Sequence, residues 1–313
     1  MTETFTLAHL SDVHLSPVPW PRLGELDTKR ALGLANWHRK RKHQHGREVI
    51  DRLVADLRRQ HPDHIAVGGD LVNIGLPAEI EAAGQWLAEL GSAADVSVVP
   101  GNHDVYGRSA RFDAGLGRWR DHMGGAGHFP FVRRFGQIAL IGVSSAVPTP
   151  VFWASGRLGA DQRAALSELL AGFDREEVCR IILIHHPPLP GQADLRRGLS
   201  DAPEMAALLA QHGAELVLHG HNHQATLNWA EGVSGRIPVV GVPSASGRPG
   251  FHAPPARYNL FKIGQSGDRF EITMIGRQYQ GGDEFAEAER IELGDAGATK
   301  FGGRLGWRPQ IAI

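Results

Sequence analysis

"VVPGNHDVY", running from Val98 to Tyr106, ends an apolar run in a proline and a glycine and then sets an amide, an imidazole and a carboxylate side by side. Pro-Gly and Asn are ordinary turn residues, so at its plainest the segment is a strand leaving the core. The polar triplet beyond the turn asks for a further reason, and that reason must be sought in the rest of the chain.

Working outward, short runs rich in Val, Ile and Leu alternate with segments of helical period, the pattern of a largely buried sheet flanked by helices. "TFTLAHL", "HIAVGGD", "VSVVPG", "QIALIGVSS", "RIILIHH", "ELVLHG" and "IPVVGVPS" read as strands. "EVIDRLVADLRRQ" sets Val49, Ile50, Leu53, Val54 and Leu57 on one helical face, and "PAEIEAAGQWLAEL", "GADQRAALSELLAGF" and "PEMAALLAQHG" behave alike. The expected fold is α/β in one domain over residues 1–280. Its late segment "RYNLFKIGQSGDRFEITMIG" reads as a hairpin and makes a second sheet plausible. Residues 281–313, acidic and glycine-rich, read as a tail that wraps the surface or is loosely ordered.

Composition narrows the function classes. With 313 residues, 42% of them apolar, the chain can bury a large core. A formal net charge of −1 gives no global drive towards nucleic acid or an anionic membrane, so no specific nucleic-acid partner is expected. Cys179 is the only cysteine, which excludes an intramolecular disulfide, and its place beside "RIILI" reads as core. The N-terminus lacks the order of a secretory signal, and no apolar run approaches the ~20 residues that cross a bilayer. The expected location is cytoplasmic, with peripheral attachment to the inner membrane left open.

Nearly every strand ends in a side chain that can hold a metal. Asp12 and His14 follow "LAHLS", Asp70 follows "IAVGG", and Asn102 and His103 follow "VVPG". His185 and His186 follow "RIILI"; His219, His221 and His223 follow "LVL". In an open α/β sheet the loops beyond the carboxyl ends of the strands converge on one crevice, so residues scattered in sequence can meet there. Carboxylates, imidazoles and an amide oxygen suit Mn, Fe, Co or Zn better than calcium or a thiolate-bound structural zinc. There are too many ligands for one ion, so a pair of divalent or trivalent ions is expected, bridged by a carboxylate.

The series "DVH", "GD", "GNHD", "HHP" and "GHNH" resembles, in the same order, the five blocks of the calcineurin-like metallophosphoesterases, over roughly residues 5 to 245. The resemblance implies a four-layer α/β/β/α sandwich with mixed sheets. It implies Asp12, His14 and His223 at one metal, Asn102, His185 and His221 at the other, and Asp70 bridging both. His103 would face the substrate phosphate and assist the leaving group as a hydroxide shared by the ions attacks phosphorus in line. Asp104 would orient His103 or anchor the loop. His186 and His219 occupy no ligand position of the family and are candidates to orient ligands or meet substrate.

Substrate class is less legible. "TKRALGLANWHRKRKHQHGREV" is densely basic and carries Trp37 and His38. It reads either as a solvated helix face or as a wall that attracts an anionic substrate, with residues 29–47 able to touch a lipid headgroup surface. The chain is similar to bacterial cyclic-nucleotide and glycerophosphodiester phosphodiesterases and to UDP-diacylglucosamine hydrolases. The favoured activity is therefore hydrolysis of a small or lipid-linked phosphodiester. A phosphomonoesterase or protein phosphatase, a UDP-diacylglucosamine pyrophosphohydrolase, and a non-catalytic binding scaffold stand as alternatives. The hairpin and tail could carry a contact between copies of the chain.

Overall fold

The structure, a computed structural model, describes residues 4–106, 116–250, 254–267 and 269–294. Two six-stranded mixed sheets carry it. The first runs β12-β11-β10-β1-β2-β3, and the second β4-β5-β6-β7-β9-β8. In the first, β1 (Phe5–Leu10), β2 (His64–Val67) and β3 (Val96–Val98) are parallel, while β10 (Arg257–Ser266), β11 (Arg269–Gly281) and β12 (Glu284–Glu292) extend it as an antiparallel meander. In the second, β5 (Ile138–Gly142), β6 (Cys179–Leu183), β7 (Leu216–His219) and β9 (Gly235–Gly241) are parallel; β4 (Phe131–Phe135) and β8 (Thr226–Gly232) flank them antiparallel.

Side-chain alternation makes the layers. In the second sheet Leu140, Ile181, Leu183, Leu216, Leu218 and Val240 join the core shared with the first sheet. Their neighbours Ile141, Ile182, Val217 and Val239 point the other way, onto Leu166 and Leu170 of helix Ala160–Ala171 and Met205 and Leu209 of helix Ala202–His212. Helices Arg47–Arg59 and Pro77–Leu90 cover the first sheet through Val49, Ile50, Leu53, Leu57, Ile80, Trp86 and Leu87. Each such buried apolar side chain is worth ~1.5–3 kcal/mol over its exposed state. The α/β/β/α order that the resemblance implies is the order found.

The boundary at residue 280 needs correction. Residues 284–292, assigned to the tail, form β12, which pairs with β11 from Gly281↔Glu284 to Thr273↔Glu292. Arg257 pairs with Glu289 across the sheet, and Arg277 donates to the Phe285 carbonyl at 2.9 Å, so side chains as well as the ladder hold the strand. The remaining tail residues, 295–313, lie outside the described residues. Among the described residues no helix is long and apolar enough to cross a membrane. Cys179 is buried and free, and burial pushes its thiol pKa well up, as a core reading requires.

The basic segment is not a simple solvated helix. Helix Thr28–Asn36 opens on Asp27, whose carboxylate accepts the Arg30 N–H at 2.8 Å, and widens into a π-helical turn at Trp37–Arg41. Trp37 packs with Val18, Ile74 and Leu76 in a small separate core, and Arg30 donates to the Ile74 and Gly75 carbonyls. These contacts fasten the segment to the loops beyond β1 and β2. Interruptions of this kind often occur at functional sites.

Candidate metal centre

The ends of β1, β2, β3, β6 and β7 open on one crevice. The loops after β1 and β2 stay paired beyond the strands, with Asp12 N donating to Gly69 O at 2.9 Å and His14 N to Asp70 O at 3.0 Å. Asp12, His14, Asp70, His221 and His223 all have positive φ, between 43° and 67°. Non-glycine residues rarely adopt this left-handed region, at a cost of roughly 1–2 kcal/mol each. Five of the seven residues singled out as ligands bear it, which marks a place where strain is kept for chemistry. Two glycines are needed for contact rather than for turning: a Cβ at Gly101 would overlap the Asp70 carboxylate, and one at Gly220 the Asp12 carboxylate.

Two donor sets result. In the first, Asp12 Oδ1 lies 3.0 Å from His223 Nε2, and His14 Nε2 lies 3.3 Å from the same nitrogen. In the second, His185 Nε2 lies 3.3 Å from Asn102 Oδ1, 3.3 Å from His221 Nδ1 and 3.4 Å from Asp70 Oδ2. Ligands ~2.1 Å from one cation stand ~3.0 Å apart at right angles and ~3.4 Å apart at tetrahedral angles, so these separations fit a shared ion. Donor atoms of Asp12, His14 and Asp70 also lie within 4.8 Å of one another, which puts Asp70 between the sets. All seven residues predicted from the sequence meet here.

Hydrogen bonds fix which imidazole nitrogens are free. His14 Nδ1 donates to the Val72 carbonyl at 3.1 Å and His185 Nδ1 to the Gly68 carbonyl at 2.7 Å; a carbonyl can only accept, so Nε2 is the nitrogen that each ring turns to the centre. Burial, reinforced by Arg41, pushes the His14 pKa well down, and burial does the same to His221 with His186 and His185 beside it. Both are neutral at pH 7 and competent to ligate. Asp12 is buried, yet His223's charge and hydrogen bond overcome desolvation and hold its carboxyl below the usual range. His185 differs: against the desolvation that would lower it, the Asp70 charge and hydrogen bond raise its pKa to about 9.

A test follows from His185. A cation taking its Nε2 must displace a proton bound at pH 7, so Mn(II) uptake by the metal-free protein should release that proton and tighten as pH rises towards about 9. Calorimetry in two buffers of different ionisation enthalpy measures the release; an identical enthalpy in both contradicts it.

Asp104, left open between two roles, anchors the loop. Its carboxylate accepts the backbone N–H of Asp70, Leu71, Val72 and Gly101 at 2.8–3.2 Å and does not touch the His103 ring. His186 spends both nitrogens, Nε2 donating to Ala154 O and Nδ1 accepting from Ser145, and its ring backs His221 at 4.4 Å. His219 lies buried behind the centre with Nδ1 on the Gly220 carbonyl.

His103 stands beside the donors. Its Nδ1 donates to Asn73 O, its ring stacks on Tyr106 at 5.2 Å, and Arg41 Nη1 lies 3.1 Å from Nε2. Burial and the Arg41 charge lower its pKa to about 4. Two residues missed as site members belong here, both from the basic segment. Arg41 reaches His14 Nε2 at 2.9 Å through Nη2, and His45 presents its ring 4.9 Å from that of His14. Within "HRKRKHQHG" nothing in the sequence separates the charges that turn inwards from those that face solvent.

The comparisons agree with this geometry. Residues 5–225 match the family model described as calcineurin-like phosphoesterase. A Synechococcus sp. protein named "Probable cyclic nucleotide phosphodiesterase" is 30% identical over 230 residues, 71% of this chain and 74% of that one.

The chain belongs to the calcineurin-like phosphoesterase family.

A Pseudoalteromonas sp. relative that is likewise named a probable cyclic nucleotide phosphodiesterase is 27% identical over 185 residues, 56% of this chain and 62% of the relative. The fold is also that of a dimetal phosphatase from Danio rerio, with a TM-score of 0.60 at 14% identity, covering 88% of this chain and 96% of that structure. A purple acid phosphatase from yellow lupin seeds superposes with a TM-score of 0.53 at 12% identity over 89% of this chain and 52% of its own. As a calcineurin-like phosphoesterase the chain is a hydrolase of phosphoric esters, and the family implies two metal ions. The donor chemistry fits them: oxygen and imidazole ligands without thiolate, gathered in groups whose donor atoms lie within 4.8 Å of one another.

Proposed function

We propose that the chain is a phosphodiesterase, with Asp12, His14 and His223 holding one ion, Asn102, His185 and His221 the other, and Asp70 shared. The observation that carries the reading is the meeting of two donor sets at one carboxylate, with His103 and Arg41 at their side. Bound there, such ions lower the pKa of a shared water and neutralise phosphate oxygens. Asn102 ligates through an amide oxygen and adds no charge, which keeps the centre electrophilic.

Charge favours a diester. Arg41 is the guanidinium that touches His14 and His103, whereas Arg197 donates to the His221 carbonyl at 3.3 Å. Among the described residues one side-chain cation faces the centre, which matches the single negative charge of a diester better than the two of a monoester. The names of the Synechococcus and Pseudoalteromonas relatives point the same way. A diester that draws Arg41 into an ion pair removes part of the charge that depresses His103. Protonated at Nε2, the ring would supply the leaving oxygen with a proton. Exposed Trp20, Leu23 and Phe152 favour a second reading, a lipid-linked diester, with the basic segment 29–47 against the headgroups.

The manganese-loaded protein should hydrolyse bis-p-nitrophenyl phosphate at least ten times faster than p-nitrophenyl phosphate. A panel adding a 3′,5′-cyclic nucleotide and a lipid-linked diester ranks the two substrate readings. Faster monoester turnover overturns the diester preference, and no turnover with any of Mn, Fe, Co or Zn points to a binding scaffold.

A further inference from the structure

The carbonyls that orient His14 and His185 have a counterpart at a third ring. His45 is 5% exposed, and its donor nitrogen lies within 4.8 Å of those of His14 and His223. It stands just beyond the turn that carries Arg41, with His45 N donating to Arg41 O at 2.9 Å. The bridge to Gly247 and the bond from Gly46 N to Ser246 O at 3.0 Å fix its backbone against the loop after β9.

Three contacts settle its tautomer. Ser244 Oγ lies 2.6 Å from the Asp12 carbonyl, Ser246 Oγ lies 3.1 Å from Ser244 Oγ, and His45 Nδ1 lies 2.7 Å from Ser246 Oγ. The Asp12 carbonyl can only accept, so Ser244 donates to it; Ser246 must then donate to Ser244, and His45 Nδ1–H to Ser246. This is the one polarity in which every contact carries a hydrogen. It leaves the His45 lone pair on Nε2, the nitrogen without a hydrogen bond to any described residue, in a ring that stands against those of His14 and His223 at 4.9 and 5.7 Å.

We infer that His45 Nε2 is a further ligand of the ion held by Asp12, His14 and His223, and that Ser246 and Ser244 are the residues that aim it. The inference rests on the two-ion reading above. It gives the basic segment a role in building the centre as well as in meeting an anion. An orienting hydrogen bond at the far nitrogen is what metal-bound histidines usually show, and its loss weakens metal binding ~10–100-fold.

Mn(II) titration of the metal-free protein by calorimetry tests it. The parent should show two sites. His45→Ala should weaken one of them by more than ~100-fold and leave the other within twofold; Ser246→Ala, which keeps the ring but frees it, should weaken the same site ~10–100-fold. Retention of the unaffected site and an unchanged far-ultraviolet spectrum show that each variant has folded. His45→Ala with both affinities within twofold of the parent overturns the assignment, whether diester turnover holds or its KM rises. If His45→Ala does not fold, Ser246→Ala decides alone, and unchanged Mn(II) affinities there overturn it. A parent that binds two Mn(II) ions and hydrolyses no diester leaves this inference standing and removes the functional one. A parent that binds none removes both.

Discussion

Asp70→Ala is expected to carry neither ion at Mn(II) concentrations that saturate the parent and to hydrolyse diesters at least ~10³-fold more slowly, since such centres contribute several kcal/mol to the transition state. Asp70 Oδ2 lies 3.4 Å from His185 Nε2, while Asp12 and His14 donors lie within 4.8 Å on the other side. Removing the carboxylate takes a ligand from each set and leaves Asn102, His185 and His221 as a neutral trio. It also deletes the acceptor of His103 N–H, which Asp70 Oδ1 holds at 2.7 Å. Metal analysis of the purified variant decides the matter, and two ions retained would mean that Asp70 is not shared.

His103→Ala should behave in the opposite way, keeping both ions and losing ~10²–10⁴-fold in turnover. The ring of His103 touches Asn73 O, Tyr106 and Arg41, and its link to Asp70 is made by backbone N–H, which alanine preserves. The loss should be smallest for bis-p-nitrophenyl phosphate, whose leaving group needs little protonation, and larger for an alkyl diester. Metal lost from this variant, or an equal loss for both substrates, contradicts the assignment of His103 to the leaving group.

The parts of the fold legible in the sequence are those whose side chains must be apolar. β1, β2, β5, β6, β7 and β9 stand out because both of their faces are covered. The three strands that escape notice, "FVRRF", "TLNWAEG" and "EFAEAERIE", are β4, β8 and β12, each at the edge of a sheet. Edge strands carry charge that discourages pairing with other chains, and that charge hides the apolar period. β12 is the extreme case, since its Glu and Ala residues favour helix and only pairing with β11 makes it a strand.

The site was legible for a related reason. Ligands at the ends of buried strands follow apolar runs, so Asp12, Asp70, Asn102, His185, His221 and His223 each carry a positional signal. Arg41 and His45 carry none, because their placement depends on the π turn at Trp37–Arg41 and on the docking of Trp37 against Ile74 and Leu76. A helix continued without that turn would aim the same residues differently. The alternation of charge in "HRKRKHQHG" is the same under either path.

The central claim is that seven side chains from distant strand ends hold two ions at one shared carboxylate. A crystal of the manganese-loaded protein, mapped by anomalous scattering at the manganese edge, measures this directly. Two peaks are predicted, one in bonding contact with Asp12, His14 and His223, the other with Asn102, His185 and His221, and both with Asp70. A single peak, or a pair of which one lies away from Asp70, would contradict the account.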